Sequence, residues 1–299
     1  CILLLRGHIT GAHLLNDILA SPGEFKLRIG AIGYDLMMYL RLIFVPYDLH
    51  YYRNTDFLMT NPWWWGVVAV SAVVVARSSA IIKLGFLWFV IALLPVLNII
   101  PLVNEYSLIL TSEHFLYIPI IGITMVVIVC AQALIKSSSW AKILFLLVVI
   151  AMASITVRQN AFWRNEVALF ERTVKFERHF GRGHLLLAKA YYFKQQYKEA
   201  NAHFQTAYEI MRVYESRVVS PTPKQFYQGF IKEILFGWAH ALEETGQFDQ
   251  ARQKYVEALI LYPGDAILWN NLAVLSLRMN DVESAKVYYN KAVALRSPP

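Results

Sequence analysis

Apolar runs that approach the thickness of a bilayer occupy the first half of this 299-residue chain, and the second half has none. Four of these runs cover residues 63–76, 81–100, 115–135 and 140–157. A helix needs about 20 mainly apolar residues to cross the ~30 Å hydrocarbon core of a membrane. The pattern predicts that the first half forms a polytopic transmembrane helix bundle.

A fifth and less apolar run, over residues 29–45, contains Asp35 and Arg41. Ionisable side chains are costly at membrane depth, so this run is expected in the bundle interior or along the interface. The chain opens on the apolar stretch from Cys1 to Leu5, which resembles the tail of another apolar segment. We therefore expect the sequence to begin inside a longer protein.

Charged residues concentrate in the second half. Residues 158–299 carry nineteen of the 28 Lys and Arg residues and fourteen of the 21 Asp and Glu residues. The hydrophobic share of the whole chain is 57%, above the roughly 45–50% of soluble domains. We predict a transmembrane domain over residues 1–157 and a soluble domain over residues 158–299.

Of the formal net charge of +7, the second half carries +5 (19 − 14). A basic soluble domain beside a bilayer fits anionic headgroups or a phosphate-bearing substrate, and an ordinary solvated surface is the alternative. Runs of Lys and Arg that would indicate nucleic-acid binding are absent, so no nucleic-acid partner is expected. Cys1 and Cys130 predict no disulfide framework, and no Cys or His spacing predicts a metal site. No cofactor motif is identified.

Positive charges in the short loops predict the orientation. Arg77 and Lys83 flank one connection, Lys136 and Lys142 flank another, and residues 102–112 between them contain no Lys or Arg. The two basic connections are expected in the cytoplasm. The intervening loop and everything after residue 157 are then extracytoplasmic in a multi-pass membrane protein.

Small and large side chains recur in the second half at a fixed interval. Ala251 and Ala285 lie 34 residues apart, which is the tetratricopeptide period. Small residues let paired helices approach, and aromatic residues fill the space between pairs. The matching sets are Leu187, Ala188, Tyr191, Ala200, Phe204 and Ala207; Trp238, Ala239, Ala251, Tyr255, Ala258 and Pro263; and Trp269, Leu272, Ala273, Ala285, Tyr289 and Ala292.

Ala200 and Ala251 lie 51 residues apart, 17 more than one period, and the excess predicts a lengthened helix and a loop between residues 213 and 230. Residues 163–180 read as one further amphipathic helix that caps the repeats. The fold class predicted is all-α, a transmembrane helix bundle followed by a tetratricopeptide-repeat solenoid.

Solenoids of this kind use their concave face to bind peptide segments. Asn270 and Asn271 are candidates for peptide binding, because Asn271 sits where the first helix of its unit faces that groove. The corresponding residues of the other units, Gly237 and Leu186, form no ladder of Asn. A spacer or assembly platform remains an equal alternative.

A polar cluster lies at the outer ends of the apolar runs. Glu113 and His114 come just before the run at residue 115, Tyr117 follows them, and Arg53 is expected on the same outer side. Arg53 and His114 are candidates to hold a phosphate, with Glu113 orienting one of them. The alternative is an interfacial belt of aromatic and basic anchors.

Several short motifs occur along the chain in a definite order. They are Tyr39-Leu40-Arg41-Leu42 with Pro46 and Leu49, Phe86-Leu87-Trp88-Phe89 with Leu94-Pro95 and Asn98-Ile99, Glu113-His114-Phe115-Leu116-Tyr117-Ile118-Pro119 with Gly122, and Trp163-Arg164-Asn165-Glu166 with Leu169-Phe170.

In combination these motifs resemble the C-terminal portion of the transmembrane, tetratricopeptide-repeat-containing glycosyltransferases, a family that includes O-mannosyltransferases. The resemblance implies a GT-C enzyme that transfers a sugar from a polyprenyl-phosphate carrier to a protein acceptor. It also implies a catalytic carboxylate in an outer loop upstream of Cys1, so no catalytic residue is assigned in this chain. His114 departs from the Arg typical of eukaryotic members. The alternative function is a non-enzymatic, membrane-anchored repeat scaffold.

Overall fold

The computed structural model describes residues 22–46, 49–50, 63–97, 113–137, 139–217 and 221–296. Within these ranges the regular structure is helical throughout, with two short 3₁₀ turns at Leu94–Val96 and Glu113–Leu116. The α-helices are α1 (Pro22–Phe44), α2 (Trp63–Ala76), α3 (Ala80–Leu93), α4 (Pro119–Ser137), α5 (Ser139–Trp163), α6 (Glu166–Phe176), α7 (Gly181–Phe193), α8 (Tyr197–Arg217), α9 (Pro221–Glu244), α10 (Phe248–Leu261), α11 (Ala266–Arg278) and α12 (Val282–Arg296).

The chain divides into two compact units, Cys1–Asn165 and Glu166–Pro299. The boundary drawn from the sequence at residue 157 lies inside α5, which continues to Trp163. The capping helix expected over residues 163–180 is shorter, because a turn at Asn165 separates α5 from α6. The backbone N–H of Asn165 donates to the carbonyl of Phe162 in that turn. Glu166 then begins α6, where a carboxylate complements the helix dipole.

The core of the first unit joins α1, α3 and α4. Tyr39 and Leu42 of α1 are buried against Phe89 and Leu93 of α3, and Ile123 of α4 completes the cluster. The two motifs that carry Tyr39 and Phe89 in the sequence are therefore packed together. This small core leaves most apolar side chains of α2 to α5 exposed.

Helices α3 and α4 cross at two glycines. A Cβ added to Gly85 would lie 2.5 Å from the carbonyl oxygen of Gly122, and one added to Gly122 would lie 2.2 Å from that of Gly85. No side chain fits at this crossing. Close backbone approach at small residues is how helices associate where the hydrophobic effect between them is weak, as in a membrane.

Helix α5 is apolar but not covered by protein. It has no buried residue over its 25 residues, a length of about 37 Å at 1.5 Å per residue. By length and composition, α5 and the segment Pro119–Lys136 of α4 are the two described helices that could cross a membrane. Helices α2 and α3, which the sequence predicts as spans, have only 14 residues each, fewer than the roughly 20 that a span needs. Pro95 prevents α3 from continuing, and α2 ends before the turn that begins at Arg77.

The second unit stacks three helix pairs, α7 with α8, α9 with α10 and α11 with α12, and α6 packs on α7. The small residues that recur in the sequence lie at the contacts within and between pairs. Tyr289, at the position of the buried Phe204 and Tyr255, is 55% exposed because no described helix pair covers it. The buried recurrent alanines are Ala188, Ala239, Ala273, Ala200, Ala251, Ala285, Ala207, Ala258 and Ala292.

The turn inside each pair repeats as well. Gln195, Gly246 and Asn280 have φ of 60°, 74° and 60°. The following residue donates its backbone N–H back to the last turn of the first helix in each case, to the carbonyls of Tyr191, Leu242 and Ser276. A left-handed residue with this bond is the Schellman end of a helix. The recurrence shows that the turns of the three pairs share one backbone conformation.

The 17-residue excess between the first two units extends α8 to Arg217 and begins α9 at Pro221. Residues 218–220 lie outside the described ranges. Both helices are longer than their counterparts in the last pair, so the insertion adds helical turns to the contact between α8 and α9.

Two glycines of α9 give a matched test of this packing. A Cβ at Gly237 would lie 2.6 Å from the buried Phe204 ring, whereas one at Gly229 would meet only the Tyr262 hydroxyl at 3.8 Å. We expect Gly237→Ala to lower the free energy of unfolding of the repeat unit by about 1–3 kcal/mol through overpacking. Gly229→Ala should raise it by about 0.5–1 kcal/mol, because alanine is the better helix former. Urea denaturation of residues 166–299 measures both, and equal effects would contradict the packing.

Candidate functional site

The first helices of the three pairs, α7, α9 and α11, lie side by side and form one face of the repeat unit. Lys189 of α7 pairs with Glu233 of α9. His240 of α9 lies 3.4 Å from Asn271 of α11. We call the surface formed by these three helices the first-helix face. In solenoids of paired helices the corresponding surface is concave and is used for binding.

A buried carboxylate organises this face. Glu243 of α9 has a side chain that is only 6% exposed. Its Oε1 accepts a hydrogen bond of 2.6 Å from the hydroxyl of Tyr255, and its Oε2 accepts one of 3.0 Å from Nη1 of Arg278 on α11. The same guanidinium lies 3.7 Å from Glu244. Hydrogen bonds on both oxygens spare this buried carboxylate the cost of an unpaired charge.

His240 extends the network to Asn271. Its Nε2 faces the Asn271 amide nitrogen at 3.4 Å, and its Nδ1 faces the Tyr255 hydroxyl at 3.3 Å. The amide donates to Nε2, so Nδ1 carries the proton and donates to the tyrosine oxygen, which in turn donates to Glu243. Burial lowers the pKa of His240 below 6.5 despite the neighbouring glutamates, which favours this neutral form.

Burial and the hydrogen bond to Glu243 both raise the pKa of Tyr255 above its ordinary value. The phenol therefore stays protonated, and its hydroxyl donates to the Glu243 carboxylate. Hydrogen-bond donation thus runs from Asn271 through His240 and Tyr255 to Glu243, which also accepts from Arg278. This network holds the side chains of α9, α10 and α11 in place before any ligand arrives.

Helix α11 alternates apolar and polar side chains along this face. Ile267 and Val274 are 57% and 47% exposed. Ile267 lies four residues before Asn271, Val274 three residues after it, and Arg278 four residues after Val274, which are the spacings that place residues on one side of a helix. On α7, Phe193 is 79% exposed at the position equivalent to Glu244. This side of α11 therefore offers hydrogen-bonding groups and apolar contacts alternately.

The structure places the sequence candidates of the repeat unit as follows. Asn271 faces α9 and bonds to His240, and Asn270 is half-buried beside it on α11. The candidates identified from the sequence do not include Glu243, His240 or Arg278. All three are polar residues on first helices, and Arg278 follows His240 and Glu243 by close to one 34-residue period. That spacing was the signal in the sequence that could have identified them.

The structure describes only part of the candidate phosphate site in the first unit. His114 lies in the 3₁₀ turn Glu113–Leu116 with its ring 4.3 Å from that of Phe115, and Tyr117 is 77% exposed. Burial lowers the pKa of His114, so the imidazole favours its neutral form. Arg53 lies outside the described residues, as does the side chain of Glu113.

Two of the sequence motifs in the first unit meet in space. The indole Nε1 of Trp88 donates a hydrogen bond of 3.0 Å to the carbonyl of Ile118. Together with the crossing of Gly85 and Gly122, this bond holds the Phe86–Phe89 motif against the turn that contains His114 and Tyr117. The carbonyl of Ile118 immediately precedes Pro119, which begins α4.

Comparison with known proteins identifies the repeats. Residues 232–275 and residues 266–298 match two family models, both described as tetratricopeptide repeat. The starting points of the matches differ by one 34-residue period. The second unit of the chain therefore contains tetratricopeptide repeats, as its sequence predicts. A search of curated proteins gives no match.

Solved structures show low similarity to the chain. MamA of MSR-1 is 22% identical over 46% of this chain and 70% of its own, with a TM-score of 0.36. BtubC from P. vanneervenii is 18% identical over 44% and 52%, with a TM-score of 0.33. YrrB, described as a tetratricopeptide-repeat protein with an unusual peptide-binding site, is 19% identical over 50% and 85%, with a TM-score of 0.23.

A histidine pair lies between α7 and α8, away from Glu243. Nδ1 of His184 lies 3.1 Å from Nδ1 of His203, and Nε2 of His184 donates to the carbonyl of Arg178 at 3.0 Å. Neutral His184 therefore accepts at Nδ1, and His203 donates. Tyr191 stacks on His203 and donates to Glu171 of α6. Two protonated rings would place N–H against N–H, so the pair holds at most one extra proton.

This pair predicts a stability that depends on pH. Burial lowers the pKa of both His184 and His203 below 6.5, so the unfolded chain binds more protons than the folded one in acid. The free energy of unfolding should fall as the pH drops below about 6.5. Urea denaturation of residues 166–299 at pH 7.5 and 5.5 measures it. His203→Gln should reduce the slope but not abolish it, because the pKa values of His184 and His240 are also lowered. An unchanged slope would contradict the assignment.

Proposed function

We propose that this chain is a membrane-anchored protein-interaction module whose first-helix face binds an extended peptide segment of a partner protein. The observation that carries the proposal is the fixed network from Asn271 through His240 and Tyr255 to Glu243 and Arg278. Preorganised polar groups beside exposed apolar side chains reduce the ordering cost of binding.

The alternation on α11 suggests how a peptide would be held. An extended chain presents an amide about every 3.3 Å and sends side chains to opposite sides. Asn271 would bond the peptide backbone through the carbonyl oxygen that its bond to His240 leaves available. Ile267 and Val274 would receive apolar side chains on either side of it. The neighbouring Glu244 and Arg278 would discriminate among charged side chains.

Anchoring in a membrane is proposed from α5. A helix that is apolar on all sides and has no buried residue needs an apolar surrounding, and its ~37 Å exceed the hydrocarbon thickness. Together with α4 it would form a membrane hairpin whose basic connection, Lys136 to Lys142, stays in the cytoplasm. The repeats would then be extracytoplasmic.

The binding proposal is tested by two substitutions of equal chemistry. A peptide library would be selected on residues 166–299, and the enriched peptides titrated by fluorescence anisotropy. Val274→Asp lies on the first-helix face and should weaken binding at least tenfold, because it places a charge in the apolar contact. Val287→Asp on α12, where the valine is 64% exposed, should leave binding within twofold.

Asn271→Ala should weaken the same peptides about fivefold to tenfold, the effect of one lost backbone hydrogen bond. Peptides that bind Val274→Asp and Asn271→Ala as tightly as the original domain would show that the binding face lies elsewhere. A domain that selects no peptide would favour the spacer or platform alternative.

A second candidate function is the glycosyltransferase implied by the family resemblance, in which this chain supplies the carrier-binding end. The contact between Trp88 and Ile118 favours it, because it joins two motifs of the resemblance beside His114. His114 and Tyr117, with Arg53 and Glu113, would hold the phosphate of a polyprenyl-phosphate sugar donor. The repeats would then present the protein acceptor.

Polyprenyl-phosphate binding to the full chain in nanodiscs tests this second function. His114→Ala should weaken binding, because it removes a hydrogen-bond donor, and His114→Arg should strengthen it severalfold by adding a permanent charge. His179→Ala, at an exposed histidine of the repeat unit, is the control. If all three variants bind polyprenyl phosphate equally well, the carrier-binding role is wrong, and the peptide-binding proposal is unaffected.

A further inference from the structure

An apolar cavity of about 490 Å³ opens between α1, α2 and α3. Its walls include Leu36 and Leu40 of α1, Ala72 of α2, and Phe86 and Val90 of α3. The volume falls within the range of about 300–1,000 Å³ typical of ligand pockets. The candidate phosphate-binding residues His114 and Tyr117 do not line it.

The cavity has one charged end. Helices α2 and α3 are joined by a short turn, so Ala76 and Lys83 lie near that turn, and Val68 and Val90 lie at the opposite end. Among the described residues that line the cavity, Lys83 alone carries a charge. Arg77 lies in the turn itself and is exposed. The lined part of α2, from Val68 to Ala76, is about 12 Å long at 1.5 Å per residue.

We propose that this cavity binds one acyl chain of an anionic phospholipid, with the phosphate headgroup at Lys83 and Arg77. This inference rests on the membrane anchoring proposed above. An apolar slot with a cationic end matches the chemistry of a single lipid molecule, a hydrocarbon tail joined to an anionic head. An extended peptide does not match it, because the walls would leave the peptide backbone unpaired.

The position of the charge supports this occupant. The charges of the short loops predict that Arg77 and Lys83 lie on the cytoplasmic side, and anionic lipids are enriched in the cytoplasmic leaflet. Basic pockets between membrane helices on that side are known sites for anionic headgroups. Neither His114 nor Tyr117 is among the residues that line the cavity, so this site is distinct from a carrier site at those residues.

The test uses the full chain, purified from membranes that contain phosphatidylcholine and phosphatidylglycerol and examined by native mass spectrometry. The original chain should retain one phosphatidylglycerol in preference to phosphatidylcholine. Ala72→Phe and Val90→Phe, which fill the cavity from facing helices, should each abolish retention. Ala69→Phe, on α2 but outside the lining, should retain the lipid.

Lys83→Gln should reduce the preference for phosphatidylglycerol about fivefold while a lipid is still retained, and Lys142→Gln should leave the preference unchanged. Gel filtration checks that each variant is folded, and two independent filling variants guard against the loss of one. Retention of lipid by both filling variants, retention without headgroup preference, or retention of detergent or sterol alone would each overturn the proposal.

Alkaline extraction of the membranes separates the two levels of failure. A chain that is washed off would overturn both the anchoring and the lipid site. A chain that stays in the membrane but retains no phospholipid would overturn the lipid site alone. Peptide binding by residues 166–299 is measured without a membrane and is independent of either result.

Discussion

Close contact between helices at small residues is the interaction on which both units depend. In the first unit the backbones of α3 and α4 meet at Gly85 and Gly122. In the second unit buried alanines recur wherever one helix crosses the next. Each contact lets long helices share a surface without a large core.

The two units differ in what covers their apolar surfaces. Within the repeats, each pair covers the preceding one, so Phe204 and Tyr255 are buried while the equivalent Tyr289 is not. In the first unit α5 has no buried residue, and the cavity beside Lys83 is open to an apolar ligand. A lipid surrounding would satisfy both features, which is why anchoring and lipid binding are proposed together.

The repeats could be read from the sequence because their physics is periodic. The 34-residue spacing of Ala251 and Ala285 follows from one helix pair packing on the next, and the family models bear it out. The lengths of the apolar helices were harder to predict from the sequence. The sequence stays apolar through residues 94–97, but Pro95 cannot continue the helix, and α3 ends at Leu93.

The network around Glu243 was beyond sequence reasoning for a different reason. Its bonds to Tyr255 and Arg278 depend on the rotation between neighbouring pairs, which side-chain spacing alone does not specify. Asn271 could be proposed because its position within the unit faces the groove. Its partner His240 comes from the preceding unit, at a different position of the repeat, so no ladder of identical residues marks the contact.

We propose that a membrane hairpin holds the first-helix face outside the cytoplasm. Impermeant thiol labelling of intact cells tests it most directly, with Cys1 and Cys130 replaced by Ser and single cysteines introduced at Gln247 and Ser139. We expect Gln247→Cys to react in intact cells and Ser139→Cys to react only after permeabilisation. Reaction of both sites in intact cells, or of Ser139→Cys alone, would contradict it.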